Sequence, residues 1–273
     1  MRGRPAGPRY CAGVDNDSER PYDETEHARR AGSFGSHAEA YAEYRPSYPE
    51  TAVRWALEPV AGEDVVRVLD LAAGTGKLTE VVARLDAEVV AVEPDPEMLA
   101  ELRRRLPDVP THLGSAEEIP VPDGSFDAVV VGQAFHWFDV DRALPEIARV
   151  LRPGGVVAAL WNLEDDAVSW IAGLKEVSES SLPSARKWRD QRGFPDHPAY
   201  SDSEVAEFQH RQRRTTDSMV ALVGTHSQVI VKDEVDRAQL LARIRGYLRA
   251  RTETASGEFD VPMITGVLRA IRV

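Results

Sequence analysis

The stretch from Val65 to Thr79 constrains this chain more than any other. A β-branched apolar run (Val65-Val66-Arg67-Val68-Leu69) ends on Asp70, turns through Gly74 and Gly76, and enters a helical pattern at Lys77. A second apolar run, Glu88-Val89-Val90-Ala91-Val92-Glu93, also ends on a carboxylate. Near-continuous apolar strands joined through a helix read as a parallel βαβ unit, because a parallel pair needs a crossover and buries both faces. Ligands of such units sit at the carboxyl ends of the strands, so the spacing predicts a nucleoside-like ligand here.

The alternation continues. Periodicity predicts strands near 65–71, 88–93, 110–113, 126–132 and 155–161, and helices near 77–84, 95–105 and 141–151. That order is an α/β, doubly wound sheet. Leu151-Arg152-Pro153-Gly154-Gly155 reads as a helix stop followed by a strand start. Before the core, the segment from Phe34 reads as a helix up to Pro46, with Tyr41 and Tyr44 on one face, and a second helix spans Pro49 to Leu57. Residues 1–32 lack periodicity and read as a tail, leaving 33–273 as a single domain with a cofactor-binding core at 49–162. Residues 163–206 are too long for a plain crossover and read as an inserted lid. Phe208 to Thr216 and Ile264 to Val273 read as strands and Val235 to Arg249 as a helix, which completes a lid and C-terminal sheet region over 163–273.

Composition narrows the function. The 273 residues carry a net charge of −12, which disfavours nucleic acid as a partner because phosphate binding needs clustered cations. The arginines at 211, 213, 214, 243, 245, 249 and 251 read as solvated faces. No apolar run is long enough for a membrane span, and no apolar segment follows Arg2, Arg4 and Arg9 as a signal peptide requires. Cys11 is the single cysteine, which excludes an internal disulfide and a cysteine metal cluster. These features predict a cytoplasmic protein, a monomer or homodimer with a small-molecule partner and no metal.

Three ligand classes use a glycine-rich strand-to-helix turn. A phosphate-binding NTPase loop needs glycine where Leu71 stands and Ser or Thr where Leu78 stands. The dinucleotide fingerprint wants a third glycine where Thr79 stands. The residues favour the third class, S-adenosylmethionine. Asp70 suits the ammonium of its amino acid, directly or through water. Gly74 and Gly76 let the backbone approach without a Cβ, and Glu93 offers two acceptors to the ribose hydroxyls.

On these residues the chain resembles the class I S-adenosylmethionine-dependent methyltransferases (the type 11 methyltransferase domain), with Rossmann-like topology. Leu69-Asp70-Leu71-Ala72-Ala73-Gly74-Thr75-Gly76 resembles the family's first motif, and Val92-Glu93-Pro94-Asp95 its ribose-binding position. Gly114-Ser115-Ala116-Glu117-Glu118-Ile119-Pro120 resembles the adenine-flanking motif. Ser125 to Val130 resembles the fourth strand. The trans-aconitate methyltransferase-like branch is resembled through Tyr41 to Pro49 and Gly132-Gln133-Ala134-Phe135-His136-Trp137-Phe138-Asp139. The resemblance implies a cofactor site of Tyr41, Arg45, Asp70, Ala72, Gly74, Gly76, Glu93, Pro94, Ser115, Ala116, Glu117 and Gln133. It also implies an N-terminal helical cover and an antiparallel C-terminal strand.

Methyl transfer from a sulfonium is an in-line displacement that needs positioning and exclusion of water, plus proton removal when the nucleophile is neutral. His136 follows the fourth strand at the ligand-binding edge and is the candidate general base; its other reading is closure of the cofactor pocket with Trp137 and Phe138. Arg45 is placed to pair with the methionine carboxylate, and Gln133 to lie beside the sulfonium methyl. Trp137 and Trp170 are the candidate acceptor-binding residues, while Trp188 and Phe194 read as pocket wall or lid core. His112, His197, His210 and His226 lack ligand spacing and read as ordinary loop, strand or surface histidines. The acceptor atom reads as oxygen, in a carboxylate or hydroxyl; carbon or nitrogen methylation and a non-catalytic cofactor-binding module stay open.

Overall fold

A computed structural model describes residues 38–62, 65–178, 185, 188, 193–255 and 257–273. The tail at 1–32, Cys11, and parts of the lid lie outside them. In chain order the elements are α1 (Ala38–Tyr44), α2 (Glu50–Leu57), β1 (Arg67–Leu71), α3 (Lys77–Ala83), β2 (Glu88–Glu93), α4 (Pro96–Arg105) and β3 (Thr111–Leu113). There follow β4 (Phe126–Gly132), α5 (Val140–Val150), β5 (Leu151–Glu164), α6 (Ser169–Val177), β6 (Glu204–Thr215), α7 (Thr216–Gly224), α8 (Ser227–Ile230), α9 (Glu234–Arg249) and β7 (Glu258–Ile271).

One seven-stranded sheet runs β3-β2-β1-β4-β5-β7-β6. Strands β1 to β5 are parallel, and β7 lies antiparallel between β5 and β6. The order reverses between β1 and β4, and this switch point opens a crevice at the carboxyl ends of both strands. Burial explains the apolar runs: Val68 to Leu71 and Phe126 to Val131 have both faces covered. One face packs Leu69, Val129, Ile147 and Trp161; the other packs Val68, Val130, Val53 and Val81. A third cluster under the lid joins Trp170, Ile171, Leu174, Met219, Ile244 and Phe259.

Local chemistry sets the element ends. Asp95 caps α4, its carboxylate accepting from the Glu97 amide at 2.9 Å and the Met98 amide at 3.1 Å, with Pro96 at the first helical position. Thr215 and Ser218 cap α7 reciprocally. That cap was the signal for α7, which the sequence reading did not include. β5 begins at Leu151 rather than near 155. Arg152 to Gly155 bulge between the Phe126–Leu151 and Ala128–Val156 pairs, and a Cβ on Gly155 would stand 2.9 Å from two carbonyl oxygens. β6 and β7 begin four and six residues earlier than their alternation suggested, because each pairs along its full length. No helix among the described residues is long and apolar enough to cross a membrane.

Candidate functional site

A cavity of about 420 Å³ fills the crevice at the switch point. Its floor comes from the ends of β1 (Asp70, Ala72, Ala73, Gly74, Thr75) and β2 (Glu93, Pro94, Asp95). Ser115, Ala116 and Glu117 close one side. Gln133, His136, Trp137 and Trp161 line the ends of β4 and β5, and Tyr41, Arg45 and Tyr48 form the cover. Among the described residues, two of the three non-glycine positions with left-handed backbone are here, Ala72 (φ 56°) and Gln133 (φ 59°). Such conformations cost about 1–3 kcal/mol and concentrate at ligand sites. The Gln133 strain is held by two bonds to β5: its amide donates to the Leu160 carbonyl at 2.9 Å, and its Nε2 donates to the Asn162 carbonyl at 2.9 Å.

Asp70 is fully buried. One oxygen accepts from the Thr79 hydroxyl at 2.5 Å, and Oδ1 has no hydrogen-bond partner. Burial pushes its carboxyl up to about 7, opposed by the Thr79 bonds and reinforced by the nearby Glu93 charge. Burial likewise pushes Glu93 up to about 7, opposed by two backbone bonds. Its Oε2 accepts from the Gly74 amide at 2.8 Å and its Oε1 from the Asp95 amide at 2.9 Å. Glu93 therefore holds the glycine turn and the α4 entry in register while facing the cavity. Thr75 adds a second buried, unpartnered oxygen on the same wall.

These orphaned acceptors fit S-adenosylmethionine. Asp70 Oδ1 suits an ammonium, and the Glu93 carboxylate, with lone pairs beyond its two backbone bonds, suits a diol. No negative phosphate would be welcome beside two buried carboxyls.

The two carboxyls predict a pH signature. Their folded values lie above the ordinary range near 4, so their contribution to stability is fully present below about pH 4 and is lost as pH rises through about 7. A cationic ligand favours the ionised forms. S-adenosylmethionine affinity is expected to rise between pH 6 and 8, with proton release visible as a buffer-dependent heat in calorimetry near pH 6.5. Buffer-independent heats at that pH would contradict the assignment.

Most of the residues named from sequence converge on this cavity, with several differences. Gly76 (φ 84°) does not line it: a Cβ there would meet Leu102 and Leu106 at 3.0 Å, so its lack of a side chain serves helix packing. Trp170 is not at the cavity either; it is 5% exposed and packs edge-on against Phe259 in the lid core, because α6 turns that face toward β7. Trp188 and Phe194 belong to the main core, Phe194 meeting Phe135 edge-on at 4.9 Å. His226 lies in the loop before α8 and is buried, and burial holds it well below the usual imidazole range, with Arg45 adding to the effect. Arg45 reaches the cavity but also donates to the Thr225 carbonyl at 2.9 Å and lies over the Tyr41 ring. Arg214 is half-buried rather than solvated and donates to the Tyr44 carbonyl at 2.5 Å.

Sequence reasoning missed Lys77, Tyr48, Trp161, Ser227 and Gln228, all on the cavity wall. Ser227 and Gln228 arrive on α8, more than 90 residues beyond β4, and no local pattern announces them. Asn162 was missed too. Its carboxamide accepts from the Thr265 hydroxyl at 2.5 Å and donates to the Ser47 carbonyl at 3.2 Å, which ties the N-terminal cover to β5.

The comparisons agree with this geometry. Residues 69–159 match a family model described as a methyltransferase domain. The chain is 40% identical over 239 residues to an uncharacterized methyltransferase of Mycobacterium tuberculosis, covering 87% of this chain and 95% of that one. An uncharacterized methyltransferase-like protein of Schizosaccharomyces pombe is 32% identical over 216 residues, covering 78% and 84%. A solved structure from Anaeromyxobacter dehalogenans, assigned as a type II methyltransferase, aligns with a TM-score of 0.60 at 26% identity, covering 84% of this chain and 98% of that one. With the strand order, the switch-point cavity and a relative of this identity across nearly its whole length, the chain belongs to the class I S-adenosylmethionine-dependent methyltransferases.

Proposed function

We propose that this methyltransferase moves the methyl group of S-adenosylmethionine to an oxygen of a small-molecule acceptor, a carboxylate or a hydroxyl. The observation that carries the reading is a single cavity bringing the buried carboxyls of Asp70 and Glu93 together with Gln133, His136 and Trp137 at the end of β4. When bound, S-adenosylmethionine supplies an electrophilic methyl on a sulfonium with a neutral leaving group. The chain's part is to bind, orient and exclude water. Asp70 and Glu93 hold the cationic and diol ends. Gln133, pinned by its two bonds to β5, sets the wall where the methyl is presented. The rings of His136 and Trp137, 4.7 Å apart, close the pocket over the strand end. The likeness of 41–49 and 132–139 to the trans-aconitate branch supports a carboxylate among the oxygen acceptors.

Calorimetric titration with S-adenosylmethionine, followed by S-adenosylhomocysteine release across carboxylic acids, phenols, alcohols and amines, tests the reading. Turnover confined to amines would overturn it. The variant His136→Ala then reports the oxygen. A hydroxyl acceptor needs its proton removed, and turnover falls about 100-fold; a carboxylate needs no base, and the loss stays below about tenfold with weaker cofactor binding.

A further inference from the structure

Lys77 opens α3 and stands on the cavity wall. It is half-buried, and among the described residues it makes no hydrogen bond or ion pair. Its surroundings are cationic. Burial holds its ammonium below the ordinary lysine range, and Arg105 and Arg214 push the same way. Glu80 is the carboxylate that opposes them, and it is already shared: it accepts from Arg84 at 3.0 Å and from Arg105 at 3.1 Å. Asp70 and Glu93 also line the cavity, but they bond Thr79 and the Gly74 and Asp95 amides and form no ion pair with Lys77.

Two more cations gather at the same end. Arg45 lines the cavity, and its Nε is buried without a partner. Arg214 reaches the Tyr44 carbonyl and the Gln212 side chain, and its Nε is likewise unpartnered. Glu164 is the carboxylate that faces Arg45 and Arg214, and burial pushes it toward its neutral form. A half-buried ammonium whose opposing carboxylate, Glu80, is shared by two arginines is under-compensated, and a ligand anion is the simplest compensation. S-adenosylmethionine brings one carboxylate, for which Arg45 is placed. Lys77 remains.

We propose that Lys77 anchors a carboxylate of the methyl acceptor, so that this wall of the cavity selects an anionic substrate by charge while the end of β4 handles the reacting oxygen. The inference rests on the methyl-transfer reading above and names the substrate class of the same site. The cofactor's own carboxylate is the rival source of the anion, and the two are separable.

S-adenosylmethionine and S-adenosylhomocysteine, which share that carboxylate, are titrated calorimetrically into the wild type, Lys77→Met and Lys77→Arg. Both cofactors are expected to bind Lys77→Met within about twofold of wild type. Protein loaded with S-adenosylhomocysteine is then titrated with mono-, di- and tricarboxylic acids and hydroxybenzoic acids, each paired with its neutral primary amide. The wild type is expected to prefer at least one acid over its amide by about tenfold or more, a gap typical of one charge-assisted contact. Lys77→Met loses that preference and Lys77→Arg keeps most of it. A cofactor affinity about tenfold weaker in Lys77→Met, with the acid preference intact, would assign the ammonium to the cofactor and overturn the proposal. Parity of acids and amides on the loaded wild type would overturn it as well. Failure of S-adenosylmethionine to bind the wild type is a different result and refutes the methyl-transfer reading itself. Should Lys77→Met not fold, Lys77→Gln gives the same comparison.

Discussion

Replacing Glu93 by Ala is expected to lower the affinity for S-adenosylmethionine by at least about 100-fold, or roughly 3 kcal/mol. Two losses add. Charge-assisted bonds from a diol to a buried carboxylate are worth about 1.5–3 kcal/mol. The same carboxylate also receives the Gly74 and Asp95 amides at 2.8 and 2.9 Å, so its removal frees the glycine turn and the α4 entry together. One effect opposes them: the buried charge is itself unfavourable in the empty protein, as its rise to about 7 shows. That relief acts on the stability of the unliganded chain and not on the contact to the ligand, so binding still falls. Glu93→Gln is no benign control, since an amide nitrogen cannot accept from either backbone donor. Calorimetric titration at pH 8, where the wild-type carboxyl is ionised, reads the effect; a loss of less than about fivefold would remove Glu93 from the cofactor site.

The variant Gly266→Ala is expected to destabilise the fold by about 3 kcal/mol or more, as overpacking of a closed core does. At 2–4 °C per kcal/mol for a chain of this size, Tm falls by about 6–12 °C. Gly266 lies on β7 opposite Trp161, and an added Cβ would stand 2.2 Å from Cε2 and 2.4 Å from Cζ2 of Trp188. Trp188 is 2% exposed, so the indole has no solvent to move into. The same substitution at Gly246, inside α9 with no atom within 4 Å, is expected to stabilise by about 0.5–1 kcal/mol through helix propensity. Opposite signs from one chemical change, read by thermal melts, separate packing from backbone entropy. In a double-mutant cycle, Trp188→Phe vacates part of the contested volume, and its coupling to Gly266→Ala is expected to exceed about 1 kcal/mol. Additivity would mean that the contact is not the cause.

The strand-end part of the cavity, where the cofactor is proposed to sit, was legible because its residues are local. Asp70, Ala72 and Gly74 follow one strand, Glu93 ends the next, and each strand's burial on both faces wrote an unbroken apolar run before its carboxylate. Gly76 was read correctly as a turn glycine but for the wrong neighbour; that its missing Cβ makes room for Leu102 and Leu106 depends on how α4 docks. Trp170 was misplaced for a similar reason. An aromatic in a lid segment carries no mark of which way its helix faces, and α6 turns it into the lid core.

The sequence by itself determined the alternation of strands and helices, the switch point they imply, and the strand-end carboxylates on which the donor proposal rests, since the period of an element and the residues that end a strand are properties of neighbouring residues. Only the tertiary structure brought together the part of the cavity where the acceptor is proposed to bind. Lys77, Trp161, Ser227 and Gln228 line one cavity because β5, α3 and α8 all reach it, across up to 151 residues of chain. The ammonium of Lys77 takes its meaning from what surrounds it, Arg105 and Arg214 against a Glu80 already engaged by two arginines, and burial and charge environment are set by packing rather than by sequence order.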